Sequence, residues 1–145
     1  MTVEIRKTSF DAFDELRCYQ QDTLKAAGKY GATSIFIGSM RDFNEGDNVQ
    51  SMTLEYYPGM TEQYLEKISA DAVKRWGLLD SLIIHRVGTV KPDDAIVLVA
   101  VWSAHRAAAF EASRHLMEEL KSRAPFWKKE TGSDGDRWIE KNSPG

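Results

Sequence analysis

The stretch from Ala95 to Ser103 reads Ala-Ile-Val-Leu-Val-Ala-Val-Trp-Ser, apolar at odd and even positions alike. A strand sends alternate side chains to opposite faces, so one that is apolar on both must be covered on both. The chain is therefore expected to build a sheet with this strand near its centre. The apolar run ends at Trp102, far short of the roughly 20 residues a helix needs to cross a bilayer.

The flanking segments supply the rest of an α+β fold, an antiparallel sheet with packed helices. A helix is expected from about Phe10 to Lys25, with Ser9 as N-cap and Gly28 past its end. Ala32 to Met40 and Val49 to Tyr57 read as strands around the polar turn Arg41 to Asn48, and Pro58-Gly59 closes the second. Thr61 caps a helix to Trp76, which places Leu65, Ile68, Ala72 and Trp76 on one face ahead of Gly77. The same order then recurs without obvious identity: strand Ser81 to Val90, turn Lys91 to Asp94, strand Ala95 to Ser103. A last helix, capped by Ser103, stops before Ala124-Pro125 because a residue preceding proline avoids the α region. Residues 124–130 are expected as a loop, and Arg137 to Glu140 as a short closing strand.

Composition narrows the class. With 42% hydrophobic and 28% charged residues and no dividing linker, the 145 residues are expected to form a single domain over 1–145. A net charge of −3 offers no general attraction for nucleic acid. The one cysteine, Cys18, excludes an intrachain disulfide and a cysteine-built metal site, and it reads as an inert thiol. No metal-ligand spacing, Gly-rich phosphate loop or Ser-His-Asp arrangement is present, so no metal and no cofactor are expected. Met1 to Ser9 carries Glu4, Arg6 and Lys7 without an apolar core, which argues against a signal peptide and for a cytoplasmic protein.

The basic residues are unevenly placed: Arg106, Arg114, Lys121, Arg123, Lys128 and Lys129 crowd one short stretch, which points to a local anion site. On the last helix, Arg106, Phe110, Met117 and Lys121 follow one another at intervals of 4, 7 and 4 and share a face. Phe110 and Met117 read as core. Lys121 either snorkels from that apolar stripe or is a desolvated amine suited to proton transfer. In Ala124 to Glu130, Phe126 and Trp127 either cover the core edge or wall a site that presents an ammonium to an anion; they are also able to stack a base. Arg41 closes the first strand, where a bidentate phosphate contact is possible. His105 and Arg106 open the last helix, whose N–H groups favour an anion. His85, mid-strand, reads as a satisfied structural histidine.

Several words of the sequence then stand together: Phe36-Ile37-Gly38-Ser39-Met40-Arg41-Asp42, Leu54 to Met60, Ile84-His85-Arg86-Val87-Gly88, Ser103-Ala104-His105-Arg106, Leu120 to Glu130, and Gly135-Asp136-Arg137-Trp138. In this order and spacing the chain resembles the large, catalytic subunit of molybdopterin synthase. The resemblance implies an α/β hammerhead fold and a sulfurtransferase. Its central homodimer of large subunits carries a small ubiquitin-like sulfur-carrier subunit at each end, making a heterotetramer. That partner ends in a Gly-Gly thiocarboxylate, and its two successive sulfur transfers to cyclic pyranopterin monophosphate form the molybdopterin dithiolene of the molybdenum cofactor.

Carried over by position, the resemblance makes Lys121 and Lys128 the essential pocket lysines. It places Ser39, Met40, Arg41, His105, Arg106, Lys129 and Glu130 with them in substrate binding. Ser39 stands where relatives have lysine, so no side-chain role passes to it. Arg106 and Lys121 lie about 22 Å apart along a straight helix at ~1.5 Å per residue. One small pterin does not bridge that span, so each pocket is expected to draw Lys121, Lys128 and Arg41 from one subunit and His105 and Arg106 from the other. A non-catalytic adaptor for a ubiquitin-like tail and an RNA-binding module are the rival readings; turnover separates the first, salt-dependent RNA binding the second.

Overall fold

The computed structural model describes residues 1–44, 47–132 and 135–138. In chain order its elements are β1 (Thr2–Arg6), α1 (Ala12–Asp22), β2 (Ala32–Ser39), β3 (Phe43–Asn44), β4 (Asp47–Tyr56), α2 (Met60–Trp76), β5 (Asp80–Arg86), β6 (Gly88–Val90), β7 (Ala95–Ser103), α3 (Arg106–Ser122), β8 (Phe126–Gly132) and β9 (Gly135–Trp138). The α+β class holds.

The first sheet runs β1-β5-β7-β2, so the doubly apolar strand is internal. Alternation sorts its side chains. Val97, Val99 and Val101 face α2 and α3, where they pack with Ile83, Leu65, Ile68, Ala112 and Leu116. Leu98, Ala100 and Trp102 face α1, where they pack with Leu82, Ile84, Ala12 and Tyr19. Trp102 is fully buried, and Tyr19 stacks on it at 5.4 Å. The N-terminal segment, unassigned from sequence, is strand β1, parallel to β5; the other pairs in this sheet are antiparallel.

A second sheet, β3-β4-β8-β9 with β6 also on β4, closes a smaller core of Met40, Met52, Leu54 and Val90. Two expectations change here. Ser81 to Val90 is not one strand: β5 pairs with β7 and β6 with β4, and the chain changes sheets at Val87-Gly88, where Gly88 takes φ 90°. Residues 124–130 are not a loop from Phe126 onward, because β4 offers β8 a full antiparallel ladder, Tyr56 opposite Phe126 and Leu54 opposite Lys128. The strands around the Arg41 turn likewise join different sheets and form no hairpin with each other.

Caps also move. Asp11, not Ser9, starts α1, its carboxylate accepting from Phe13 N and Asp14 N at 2.9 and 3.1 Å. Gly59 caps α2, with Glu62 bonded back to its N–H, while Gly77 ends that helix in the left-handed region as expected. Thr61 is buried instead; its Oγ1 accepts from Tyr57 N at 2.9 Å and donates to the Pro125 carbonyl at 3.0 Å, tying α2 to the start of β8. His105 is the N-cap residue of α3 without a side-chain cap; Ser103, buried at the end of β7, accepts from its N–H at 3.3 Å. The closing strand is β9 up to Trp138; Ile139 and Glu140 lie outside the described residues. Among the described residues no helix is long and apolar enough to cross a membrane.

Candidate functional site

Helix α3 is followed directly by strand β8 of the second sheet, with only Arg123, Ala124 and Pro125 between them. Lys121 lies in the last turn of α3. Lys128 sits two residues into β8, so it shares a strand face with Phe126 and Glu130 and opposes Trp127 and Lys129. On β5, His85 shares its face with Ile83, the face that packs on α3. These geometries converge. A pocket of about 50 Å³ is lined by His85, Ile96, Val97, Met117, Leu120, Lys121, Ala124, Phe126 and Lys128.

The pocket is electropositive and partly dry. Burial pushes the Lys128 amine down to about 8, and the charge of Lys121 and a hydrogen bond with it push the same way, against the pull of Glu130. Glu130 is buried on the same strand face. His85 is 7% exposed. Burial holds its pKa down to about 4; its hydrogen bond to the Arg86 carbonyl opposes this, and the charges of Lys128 and Lys121 add to it. The imidazole is therefore neutral at any pH near 7. Chemically, the arrangement is an anion pocket with one amine that loses its proton far more easily than an ordinary lysine.

The structure brings together only part of the set read from sequence. Lys121 and Lys128 meet. Arg41 is exposed, just past the end of β2 that pairs with the start of β7. Met40 is buried in the smaller core, and its backbone N–H and carbonyl bond to the Asp93-Asp94 turn at 3.0 Å each; Ser39 is exposed. Lys129 faces away from the pocket, opposite Thr53 and Trp138. His105 and Arg106, both exposed, lie at the far end of β7 and α3. They are outside the lysine pocket of the same chain.

His85 is the residue whose part in the pocket sequence reading missed. Its alternation with Ile83 was the available signal, but nothing local says that β8 will fold across that face. Met117 is buried as expected, whereas Phe110 is 67% exposed, one residue beyond the stripe that α3 buries through Ala109 and Ala112. Among the described residues, no three His, Cys, Asp or Glu side chains converge as metal ligands.

Known proteins place this geometry in a lineage. A family model described as MoaE protein matches residues 8–123. The molybdopterin synthase catalytic subunit of Ralstonia nicotianae is 47% identical over 141 residues, covering 96% of this chain and 77% of the relative. The MoaE protein of Burkholderia ambifaria superimposes with a TM-score of 0.78 at 43% identity, covering 99% of this chain and 92% of its own. Molybdopterin synthase from Staphylococcus aureus gives 0.83 at 30% identity, covering 95% and 96%. With the family's model matching most of its length, this chain belongs to the MoaE family.

Proposed function

We propose that the chain is the catalytic subunit of a molybdopterin synthase, a sulfurtransferase. It moves two sulfurs from the thiocarboxylated Gly-Gly tail of a small ubiquitin-like subunit onto cyclic pyranopterin monophosphate. The observation that carries this reading is the meeting of Lys121 and Lys128 in one partly buried pocket. A thiocarboxylate is an anion, and paired ammonium groups away from bulk water hold it at a fixed place. The sole cysteine, Cys18, is exposed on α1, across the first sheet from the pocket, so the sulfur has to arrive on another molecule.

In this reading the thiocarboxylate sulfur attacks a side-chain carbon of the pterin and displaces the oxygen substituent there, which leaves with a proton. Water then cleaves the acyl thioester, releasing the small subunit's carboxyl terminus and leaving the sulfur on the pterin as a thiol. Lys121 holds the incoming tail and stabilises negative charge as it develops; Lys128, whose amine gives up its proton near pH 8, moves protons at the same centre. Arg41, His105 and Arg106 bind the phosphate and pterin, and Glu130 stands on the Lys128 face of β8; Met40, buried in the smaller core, and Lys129, on the opposite strand face, take no side-chain part.

His105 and Arg106 stand about 22 Å from Lys121 along α3 at ~1.5 Å per residue, so they serve the pocket of a second large subunit. The exposed Phe36 on the outer strand β2, on the α3 side of the sheet with Ser34, and the exposed Phe110 of α3 support a homodimer through this face. A cytoplasmic heterotetramer is the assembly proposed.

Reconstitution tests it. Wild-type chain, thiocarboxylated small subunit and cyclic pyranopterin monophosphate should yield a dithiolene product by mass spectrometry. Lys121→Ala should yield none while the heterotetramer still forms. Normal turnover by Lys121→Ala would overturn the assignment.

A further inference from the structure

Two lysines carry the proposed chemistry, and the third polar group in their pocket has no task in it. His85 lines the pocket although it is almost wholly buried. Its ring is fixed from two sides. Nδ1 lies 2.8 Å from the Arg86 carbonyl oxygen, and since a carbonyl only accepts, Nδ1 carries the ring proton. Nε2 is then the bare nitrogen. Phe126 stacks on the ring with centroids 3.9 Å apart and planes 14° from parallel, which prevents rotation. The carbonyl that selects this tautomer is itself braced, because Arg86 donates Nε to Val87 O at 3.2 Å and Nη2 to Thr89 O at 2.8 Å across the change of sheets.

The ring's surroundings say what such an acceptor does. Lys121 from α3 and Lys128 from β8 are the charges that act on it, with Glu130 one step further along the same face of β8. Otherwise β7 contributes Ile96 and Val97, and α3 contributes Met117 and Leu120. A carboxylate in the place of His85 would satisfy the ammonium groups but cancel the positive potential an anion needs. A protonated imidazole would add a third repelling charge. A neutral acceptor orients an N–H and leaves the field intact.

We propose that His85 is a positioning residue for the lysine pair, its bare Nε2 accepting a hydrogen bond from a lysine N–H in the pocket and aiming that amine at the incoming anion. The inference deepens the sulfur-transfer reading and rests on it for its effect on turnover, but not for its effect on the lysines.

The test uses His85→Phe, which keeps an aromatic ring against Phe126 and lacks Nε2, and His85→Gln, whose amide oxygen reaches the Nε2 position. Lysine side-chain NMR titration of the full chain reads the amines, and kcat and KM are measured with thiocarboxylated small subunit. Losing an acceptor for an ammonium disfavours its charged form, so His85→Phe should lower the Lys128 midpoint by about one pH unit. It should also cut kcat about tenfold with KM within about twofold, and His85→Gln should restore most of both. An unmoved Lys128 midpoint in His85→Phe, or a glutamine variant as impaired as the phenylalanine one, overturns the proposal. If His85→Phe does not fold, His85→Asn takes its place, since its shorter amide serves the Arg86 carbonyl but not the Nε2 position. Should wild-type protein transfer no sulfur, the function fails while the titration still decides the role of His85.

Discussion

Phe126 lies flat on His85, ring centroids 3.9 Å apart, and this contact helps join the two sheets of the molecule. His85 belongs to the first sheet through its pairing with Val97, and Phe126 to the second through Tyr56. Covering the imidazole with an aromatic ring dries it, and Lys121 and Lys128 next to it oppose its protonation. The pocket is thus built where the sheets meet, from a helix end, the paired strands β5 and β7 of one sheet and β8 of the other.

That burial has a signature in stability. The folded His85 titrates at about 4 against an ordinary 6.5, so between those values the unfolded chain binds more protons. Stability should therefore be fully present above pH 6.5, fall as pH drops toward 4, and level off below. The contribution reaches about 3 kcal/mol at most. Urea unfolding at pH 7 and 4.5 should show a smaller pH dependence in His85→Phe than in the wild type. Equal dependence in the two proteins would mean that the imidazole is not held neutral.

Thr61 should act as a rivet between α2 and β8. Its hydroxyl accepts from Tyr57 N and donates to Pro125 O while fully buried. Thr61→Val keeps the shape and orphans both backbone groups, which should cost about 1–3 kcal/mol. Thr61→Ser should cost less. Denaturant midpoints measure both, and a neutral valine variant would show that water replaces the hydroxyl.

Gly31 is fixed by a close approach. Its N–H donates to Ser103 O at 3.0 Å, and a Cβ there would run into the Ala104 carbonyl oxygen, which is backbone and yields little. Gly31→Ala should therefore destabilise by about 1–3 kcal/mol. It should also displace the His105-Arg106 segment next to Ala104, so turnover should fall even at temperatures where the variant is folded. A thermal melt paired with an activity assay separates the two effects.

The separation of Arg106 from Lys121 gives a complementation test. Lys121→Ala and Arg106→Ala should each be inactive as homodimers. Refolded together, they should form hybrids in which one of the two pockets is intact, recovering up to roughly half the activity of a wild-type dimer per hybrid. No recovery in mixtures shown to contain hybrid dimers would assign each pocket to a single chain.

Local rules carried much of the architecture. A nine-residue strand apolar on both faces had to be internal, and β7 is; Leu65, Ile68 and Ala72 had to be buried, and they are. The N-caps each moved by two residues, and only Asp11 caps with its side chain; at Gly59 and His105 the backbone alone sets the helix start, which a search for polar side chains does not find. Lys121 and Lys128 were marked by a basic cluster on an acidic chain and by the resemblance in their neighbourhood. Phe110 was misplaced because a stripe four and seven residues long fits a helical face that is wider than the one α3 in fact buries.

The sequence by itself determined where the helices and most of the first sheet's strands lie and which of their faces are apolar, because those depend on residues a few positions apart. Only the tertiary structure decided that residues 126–130 form a strand, since that required β4 as a partner, 70 residues distant in the chain at Tyr56–Phe126. It alone decided that His85 is a neutral group between two lysines. Burial, tautomer and stacking come from Arg86, α3 and β8 at once, and no spacing along one segment encodes a place where three of them meet.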